Sequence, residues 1–189
     1  FAVQNSDLVL SVGSRLSVPQ IGYNFPIFAR AAKKIVVDID AVELQKPSVK
    51  PDLPILSDAK SFLNALLNQW DGEPQLKIDA WRDRCRSWRS KYPVVLPEYK
   101  KEKGAVNSFY FIDVLSRYLD ESAVVVTDMG TSFTCTMQTF KTKKGQRLFT
   151  SSGHASMGFG LPGAIGACVG NGRKKTICIT GDGGLQMNV

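Results

Sequence analysis

A glycine-rich segment with one acidic residue follows an apolar strand near the end of the chain. The strand is predicted over Thr176–Thr180, and Gly181-Asp182-Gly183-Gly184 comes directly after it, before the start of a predicted helix. Glycines allow backbone N–H groups to approach a phosphate closely, and a helix N-terminus adds partial positive charge. A single carboxylate beside a diphosphate can hold Mg²⁺. An ordinary turn with the sequence G-D-G needs no metal, so the segment alone is a weak signal for an anion and metal site.

Two upstream segments strengthen the interpretation. Residues 128–132, Asp-Met-Gly-Thr-Ser, follow a second predicted strand, and a glycine-rich stretch begins at Ser151 and contains M-G-F-G-L-P at residues 157–162. Ligands of open α/β sheets bind outside the carboxyl ends of the strands, which is where residues 128–132 and residues 181–184 are expected. Core packing is the alternative explanation for Met157, and a helix or turn cap is the alternative for Asp128.

The three segments, in this order, resemble the cofactor-binding C-terminal domain of the acetolactate synthase group of thiamine-diphosphate enzymes. The match to the M-G-F-G-L-P motif of that group is complete at residues 157–162. The N-terminal part of the chain resembles the central domain of the same group at Asp7-Leu8, Gly13-Ser14-Arg15, Val37–Asp40 and Asp52–Ile55. The resemblance covers nearly the whole chain, and only the linker helix between the two parts is unspecific.

The resemblance implies a role for each residue that matches the group's motifs. Met157 would support the aminopyrimidine of the bent thiamine, and Asp182 would bind Mg²⁺ together with the diphosphate, water and residues beyond Val189. Asn188 lies too early to be the family's asparagine ligand and is expected to belong to the following helix. The residues expected to contact the cofactor are Asp128, Met129, Gly130, Thr131, Ser132, Gly153, Met157, Gly181, Gly183 and Gly184.

His154 is the only histidine in the sequence, and the resemblance places it in a loop that should face the thiazolium. A histidine pKa near 6.5 suits proton transfer, so His154 is the candidate catalytic residue. The favoured alternative is a neutral imidazole with a structural role on the loop.

The resemblance also implies an activity and an assembly. The complete protein would be a thiamine-diphosphate- and Mg²⁺-dependent enzyme, a transferase or lyase that converts a small 2-keto acid by decarboxylation and carboligation. A simple 2-keto acid decarboxylase and a non-catalytic cofactor-binding relative are the alternatives. The protein would be a homodimer or homotetramer with its active site at a subunit interface. The family's activating glutamate lies on an N-terminal domain that this chain is expected to lack, so the 189 residues alone should be inactive.

Flavin binding is a separate question within the group. Its G-A-R-F-D-D-R pattern appears here as G-S-R-L-S-V-P at residues 13–19, with the glycine and first arginine kept and the acids and second arginine absent. This departure puts FAD binding in doubt.

A nicotinamide cofactor is the rival interpretation, because residues 158–163 match G-x-G-x-x-G and Asp182 supplies an acid about 20 residues on. The dinucleotide motif should follow a strand directly in a tight turn. The nearest upstream strand candidate, residues 147–149, ends well before Gly158. Close packing of the following helix therefore explains the small residues better.

The elements that must position these residues form two α/β halves. Short apolar runs predict buried strands at residues 7–12, 34–40, 123–127 and 176–180, with helices at 108–119 and 158–169 and helix caps at Asp40 and Asp58. The predicted fold is α/β, with two Rossmann-like three-layer parallel-sheet domains, both incomplete, joined by a linker helix. The predicted domains are the C-terminal part of a central domain at 1–70, a linker at 71–104 that includes Asp71–Pro74, and the N-terminal part of a thiamine-diphosphate-binding domain at 105–189.

The charge and the cysteines bear on whether the protein binds nucleic acid or zinc. The formal net charge is +7, but much of it lies at residues 81–91, where Trp81, Cys85 and Trp88 recur at helical spacing. The arginines there are interpreted as the solvated face of a helix, so no nucleic-acid partner is expected. Four scattered cysteines and one histidine do not suggest a zinc site. The sequence begins at Phe1 without a signal-peptide pattern or a long apolar run, which leads us to expect a piece of a longer cytoplasmic protein with no membrane partner.

Overall fold

The computed structural model describes residues 1–72 and 77–189. The chain divides into two compact units, Phe1–Lys91 and Tyr92–Val189. This division falls inside the predicted linker at 71–104, whose residues Glu73 and Pro74 lie outside the described part of the chain. The predicted domain limits at residues 70 and 104 stay predictions.

The first unit contains a parallel sheet with helices packed on it. Its strands are β1 (Leu8–Val12), β2 (Lys33–Asp38) and β3 (Leu53–Leu56), in that order across the sheet. Both β1 and β3 pair with β2 in parallel. A core of apolar side chains lies beside the sheet and includes Leu16, Ile21, Val36, Leu44 and Val49. The described elements of this unit are α1 (Ala2–Asn5), β1 (Leu8–Val12), α2 (Val18–Ile21), a 3₁₀ turn (Phe25–Ile27), β2 (Lys33–Asp38), α3 (Ala41–Gln45), β3 (Leu53–Leu56), α4 (Ala59–Asn68) and α5 (Asp79–Lys91).

Local sequence explains where two helices of this unit begin. The Asp40 carboxylate accepts the backbone N–H of Val42 at the start of α3, and the Asp58 carboxylate accepts that of Ser61 at the start of α4. Both caps confirm the predicted helix starts. Glu43, three residues after Asp40, does not complete a capping box, because its side chain pairs with Arg15 and Lys46 instead of reaching back to Asp40.

The arginine-rich segment is a helix, α5, as its apolar spacing predicts. Trp81 and Trp88 pack edge to face with ring centroids 5.7 Å apart, and Cys85 and Trp88 are half-buried. The four arginines of the helix are exposed. Two of them pair with acids one turn earlier, Arg82 with Asp79 and Arg86 with Asp83. The arginines therefore form a solvated helix face, as expected.

The second unit is built around β4. This strand (Val124–Thr127) lies between β5 (Arg147–Phe149) and β6 (Thr176–Ile179) in a parallel sheet of order β5–β4–β6. Val124 and Val126 face a cluster with Ala164 of α8, and Val125 faces a second cluster with Leu119 and Ala123. The described elements of this unit are a 3₁₀ turn (Pro97–Lys101), α6 (Ser108–Tyr118), β4 (Val124–Thr127), α7 (Thr131–Thr139), β5 (Arg147–Phe149), α8 (Gly160–Gly170), β6 (Thr176–Ile179) and α9 (Asp182–Gln186).

Both units confirm the predicted α/β class with parallel sheets. Three local predictions differ from the structure. The G-D-G-G segment does not precede a helix, because α9 begins at Asp182 itself. Asn188 lies beyond the end of α9 rather than inside it. The turn expected at residues 128–132 leads directly into a helix that was not predicted, α7, at residues 131–139. Within the described residues, no helix combines the length and the apolar character that a membrane crossing requires.

Candidate active site

The carboxyl ends of β4 and β6 meet at one edge of the second sheet. Thr127 pairs with Ile179 in the parallel register, and the Asp128 N–H donates to the Ile179 carbonyl at 2.9 Å. The two chain segments that leave these strands, residues 128–132 and 180–184, therefore start side by side. The sheet thus brings the two predicted segments together.

A crevice of about 470 Å³ opens at this edge of the sheet. Its walls are apolar at Phe111, Ile112 and Ile179 and polar at the hydroxyl-bearing residues Thr131, Ser132 and Thr180. Gly181 lines it as well. A crevice with apolar walls and a few converging polar groups suits a small organic ligand with a charged end.

The residues after β4 turn sharply into α7. Gly130 is the N-cap of α7 and has a φ of +78°, a conformation that favours glycine. The Ser132 hydroxyl donates to the Met129 carbonyl at 2.8 Å, and the Thr134 N–H donates to the Gly130 carbonyl at 3.0 Å. These bonds leave Thr131 exposed at the first position of the helix, beside the crevice.

Asp182 is an exposed carboxylate at the first residue of α9. One of its oxygens, Oδ1, accepts the N–H of Gly183 at 2.8 Å. Over residues 1–72 and 77–189, no group of three or more His, Cys, Asp or Glu side chains is placed to hold a metal ion. A Mg²⁺ ion held by Asp182 would thus take its other oxygen ligands from a bound diphosphate, water or other residues, which suits the way Mg²⁺ is usually bound.

The three glycines beside Asp182 fall into two classes. A Cβ built on Gly184 would lie 2.8 Å from Oδ2 of Asp128, so packing inside the chain requires that glycine. A Cβ on Gly181 or Gly183 would meet no atom within 4 Å, and neither residue has a positive φ. The fold itself therefore gives no reason for glycine at 181 or 183. Close approach of a ligand to the backbone would give one, so these residues fit a bound diphosphate.

Asp128 lies at the centre of the site and is 1% exposed. Its carboxylate accepts the N–H of Met129 at 2.7 Å, of Gly158 at 3.0 Å to each oxygen, and of Gly160 at 3.2 Å. The Thr180 hydroxyl also lies 3.2 Å from its Oδ2. The prediction that Asp128 contacts the cofactor stays a prediction. In the structure its carboxylate accepts hydrogen bonds from other groups of the chain.

The environment of Asp128 keeps it ionised. Burial is the largest single influence on its pKa and raises it, but the hydrogen bonds from Met129, Gly160, Gly158 and Thr180 together hold the pKa below its usual value. Burial also raises the pKa of the neighbouring Cys178 thiol, and the negative charge of Asp128 raises it further. The site thus contains a buried anion that is stabilised by N–H and O–H donors.

Gly158 is held from both sides. Its N–H donates to Asp128, and its carbonyl accepts the side-chain amide of Asn188 at 2.8 Å. Its φ is +87°, and a Cβ there would lie 2.7 Å from the amide nitrogen of Asn188. Asn188 therefore ties the chain after α9 to the M-G-F-G-L-P segment.

The remaining predicted residues lie on the exposed loop that leads into this segment. Met157 is 58% exposed, immediately before the clamped Gly158. Gly153 and His154 are also exposed, and in the described part of the chain none of the hydrogen bonds that join the site involves either of them. Their predicted contacts with the cofactor and its chemistry stay predictions.

The glycines of the G-x-G-x-x-G match have packing roles. A Cβ on Gly160 would lie 2.9 Å from the Cβ of Asp128, and a Cβ on Gly163 would lie 2.9 Å from the ring of Phe159. The preceding strand, β5, ends at Phe149, far upstream of Gly158. The Cβ on Gly163 would also lie 3.3 Å from Cγ1 of Val126 in β4. Close packing at the start of α8 and against β4 therefore explains Gly160 and Gly163, as the sequence indicated.

Thr180, Gly158, Gly160 and Asn188 belong to the site but were not predicted as site residues. Thr180 had a detectable signal, since it stands at the carboxyl end of a predicted strand, next to Gly181. The Asn188 bond had none, because its partner Gly158 is 30 residues away in the sequence.

Two models of one enzyme family match the chain. The thiamine pyrophosphate enzyme C-terminal TPP-binding domain matches residues 128–189, which contain the whole edge described above. The thiamine pyrophosphate enzyme central domain matches residues 1–66. The chain belongs to the thiamine pyrophosphate enzyme family. This finding confirms the resemblance on which the prediction of thiamine diphosphate rests.

The relatives of this thiamine pyrophosphate enzyme include acetolactate synthases. It is 35% identical to acetolactate synthase 2, chloroplastic, of Nicotiana tabacum and 31% identical to the acetolactate synthase isozyme 1 large subunit of Escherichia coli (strain K12). It is 34% identical to a probable acetolactate synthase large subunit of Methanococcus aeolicus. Each alignment covers 100% of this chain and 28%, 32% and 33% of the respective relative. The chain thus spans about a third of the length of the curated relatives that it matches.

Proposed function

We propose that the complete protein containing this chain converts a 2-keto acid in a thiamine-diphosphate- and Mg²⁺-dependent reaction of the acetolactate synthase type. Decarboxylation of one keto acid would be followed by ligation of the remaining fragment to a second keto acid. The single observation that carries the proposal is the glycine pair 181 and 183, which the fold does not require, beside the exposed carboxylate of Asp182. Family membership and the acetolactate synthase relatives support the same proposal.

The residues of the chain would divide the binding task between the two ends of the cofactor. Asp182 would hold Mg²⁺ at the diphosphate end, where Gly181 and Gly183 let the backbone come close. Thr131 and Ser132 line the adjoining crevice. Thr131 would offer a hydroxyl donor, whereas the Ser132 hydroxyl already donates to the Met129 carbonyl. Met157 presents an exposed apolar side chain on which the aminopyrimidine would rest. Thiamine diphosphate, when bound, would supply the electron sink for decarboxylation, and the protein would orient it.

His154 has two possible roles in this reaction. A general acid–base role would make turnover fall by about 10²- to 10⁴-fold in the His154→Ala variant. A structural imidazole on the exposed loop would leave turnover unchanged. Measuring turnover at saturating cofactor separates the two roles, because weak cofactor binding then cannot lower the rate.

FAD, the assembly and the location are further parts of the proposal. The Arg15 guanidinium pairs with Glu43 at 3.1 Å, within the segment that departs from the family's flavin pattern. On that basis we propose that the protein does not bind FAD. We also propose a homodimer or homotetramer in the cytoplasm, with no nucleic-acid or membrane partner, although the relative from tobacco carries the word chloroplastic in its name.

The test uses the complete purified protein with thiamine diphosphate, MgCl₂ and pyruvate. Binding of thiamine diphosphate is measured by calorimetry, and the products are identified by mass spectrometry. Acetolactate as the main product supports the proposal. Acetaldehyde alone would make the protein a simple decarboxylase, and binding without product would make it a non-catalytic relative. Absence of thiamine diphosphate binding would overturn the proposal altogether. An absorption spectrum with flavin bands would overturn the statement on FAD.

A further inference from the structure

We propose that Asp128 is a positioning residue that holds two cofactor-binding segments at a fixed distance from each other, without itself contacting the cofactor. The segments are residues 157–160, which carry Met157, and residues 180–184, which carry Asp182. This inference rests on the proposed function, because it assigns the two segments to one cofactor.

The hydrogen bonds of Asp128 join three separate parts of the chain. Its own strand end supplies the Met129 N–H, the 157–160 segment supplies the N–H groups of Gly158 and Gly160, and the end of β6 supplies the Thr180 hydroxyl. Gly158 is 30 residues away in the sequence, and Thr180 is 52 residues away. One side chain therefore links segments that the backbone of β4 alone does not connect.

Van der Waals contact fixes the same distances. A Cβ on Gly160 would lie 2.9 Å from the Cβ of Asp128, and a Cβ on Gly184 would lie 2.8 Å from its Oδ2. Both segments thus pack their backbones directly on the side chain. A shorter side chain would leave a void between them, and a longer one would push them apart.

The charge of Asp128 makes aspartate, and not asparagine, the residue that fits. All of its partners named above are donors, so each needs an acceptor atom. An asparagine amide would turn its NH₂ group towards one of these donors and leave a buried N–H or O–H unsatisfied. The Thr180 hydroxyl also has the Gly181 carbonyl in reach at 3.1 Å, but the ionised carboxylate is the stronger acceptor.

Two features separate positioning from cofactor contact and from mere stability. Asp128 is 1% exposed, whereas Met157 and Asp182 are exposed, so a ligand reaches the supported residues and not the support. Loss of a merely structural carboxylate would lower the thermal stability but leave the affinity of the folded protein for the cofactor unchanged. Loss of a positioning carboxylate would weaken that affinity in folded protein.

The experiment compares Asp128→Asn with Asp120→Asn in the complete protein. Asp120 is a matched control, because it is an exposed carboxylate of the same unit that accepts a backbone N–H, that of Ser122, at 3.0 Å. The dissociation constant of thiamine diphosphate is measured by calorimetry in excess MgCl₂, with circular dichroism to establish folding. We expect Asp128→Asn to raise the dissociation constant about 10- to 100-fold, as replacement of outer-shell partners does at metal sites. Asp120→Asn should bind as the wild type does.

A second pair of variants keeps the test decisive if Asp128→Asn does not fold. Thr180→Val removes one donor at nearly constant volume, and Thr180→Ser keeps the hydroxyl. The expected result is weaker cofactor binding by Thr180→Val than by Thr180→Ser. Wild-type affinity in folded Asp128→Asn, or equal affinities in the Thr180 pair where Asp128→Asn is unfolded, would overturn the inference. If the wild type itself does not bind thiamine diphosphate, the proposed function fails instead.

Discussion

Both carboxylate oxygens of Asp128 lie 3.0 Å from the backbone nitrogen of Gly158, and the opposite face of that residue accepts the amide of Asn188. A backbone unit with donors and acceptors satisfied on both sides has little freedom to move. The exposed Met157, one residue earlier, is thereby anchored at its carboxyl side.

Gly158→Ala should destabilise the protein. The new Cβ would lie 2.7 Å from the Asn188 amide nitrogen and 2.8 Å from the Met187 Cβ, at a φ of +87°. We expect a loss of about 1–3 kcal/mol in the free energy of unfolding, measured by urea denaturation. Gly166→Ala in α8 is the control, since a Cβ there meets nothing within 4 Å and its φ is not positive. Equal stability of the two variants would contradict the close packing of Gly158 against Met187 and Asn188.

The two glycines that follow Asp182 should respond oppositely to alanine. Gly183→Ala is expected to keep or slightly raise the stability, because its Cβ meets no atom within 4 Å in a helical conformation. It should nevertheless weaken the binding of thiamine diphosphate. Gly184→Ala should lower the stability itself, because its Cβ would collide with Asp128. Thermal melts and calorimetric titrations of both variants check this contrast, which fails if Gly183→Ala binds the cofactor normally.

The sequence predicted those parts of the second unit that have strong local patterns. The apolar run of β4 and the small residues of α8 were recognised. Helix α7 was not, because its sequence T-S-F-T-C-T-M-Q-T places apolar residues two apart instead of at helical spacing. Strand β3 was not predicted either, since Pro54 lies within it. The structure accommodates this proline because β3 is an outer strand that pairs with β2 alone in the described sheet.

The exposed part of the site was predicted, whereas of the buried part only Asp128 and Gly184 were named, without the hydrogen bonds that Asp128 makes. Glycines and an acid beside a strand end carry a local signal, so Asp182 and its neighbours could be identified. The network around Asp128 joins residues that are 30 to 52 positions apart. No spacing rule connects such residues. The register of β4 and β6 brings Thr180 beside Asp128, and the packing of α8 on β4 brings Gly158 and Gly160 there.

Asp182→Asn should reduce the affinity for Mg²⁺. Replacement of the carboxylate by an amide removes the negative charge that attracts the ion and leaves a weaker oxygen ligand. We expect the Mg²⁺ concentration for half-maximal binding of thiamine diphosphate to rise about tenfold or more, at unchanged stability. Asp120→Asn again serves as the carboxylate control. An unchanged Mg²⁺ requirement would remove Asp182 from the metal site.

The ion pairs of Asp113 should make stability depend on pH at acidic values. Its side chain is 4% exposed and pairs with Arg117 and with Lys141 at 2.8 Å. Burial is the largest single influence and raises its pKa, but the two cations together lower the pKa below the usual 3.8. The unfolded state therefore binds the proton first. The stabilisation is complete above about pH 4 and is lost as the pH falls through the folded-state pKa.

Asp113→Asn tests this dependence directly. We expect the variant to be less stable than the wild type by about 1–3 kcal/mol at pH 7 in urea denaturation. The gap should narrow as the pH falls below about 4, because the wild-type carboxyl is then protonated as well. If the difference in the free energy of unfolding stays constant over this pH range, the ion pairs of Asp113 are not its cause.

The charge of Asp128 should also be detectable through Cys178. Burial and the nearby anion both raise the pKa of this thiol. Asp128→Asn removes the anion, so the pKa of Cys178 should fall while burial still keeps it above the usual value of 9.0. Alkylation by iodoacetamide as a function of pH, followed by peptide mass spectrometry, measures the change. Cys168 provides the internal control, and equal shifts of both cysteines would count against a local effect of Asp128.

The position of β4 has a consequence for motion at the site. Its four residues are buried, and it pairs with a neighbour on each side. Amide hydrogens of such a central strand exchange with solvent only in rare, extensive openings, whereas those of exposed loops exchange readily. The exposed residues 153–156 can therefore rearrange around a ligand while the strand that leads to Asp128 stays closed. The amide hydrogens of β4 and those of residues 153–156 should differ in hydrogen-exchange protection by orders of magnitude.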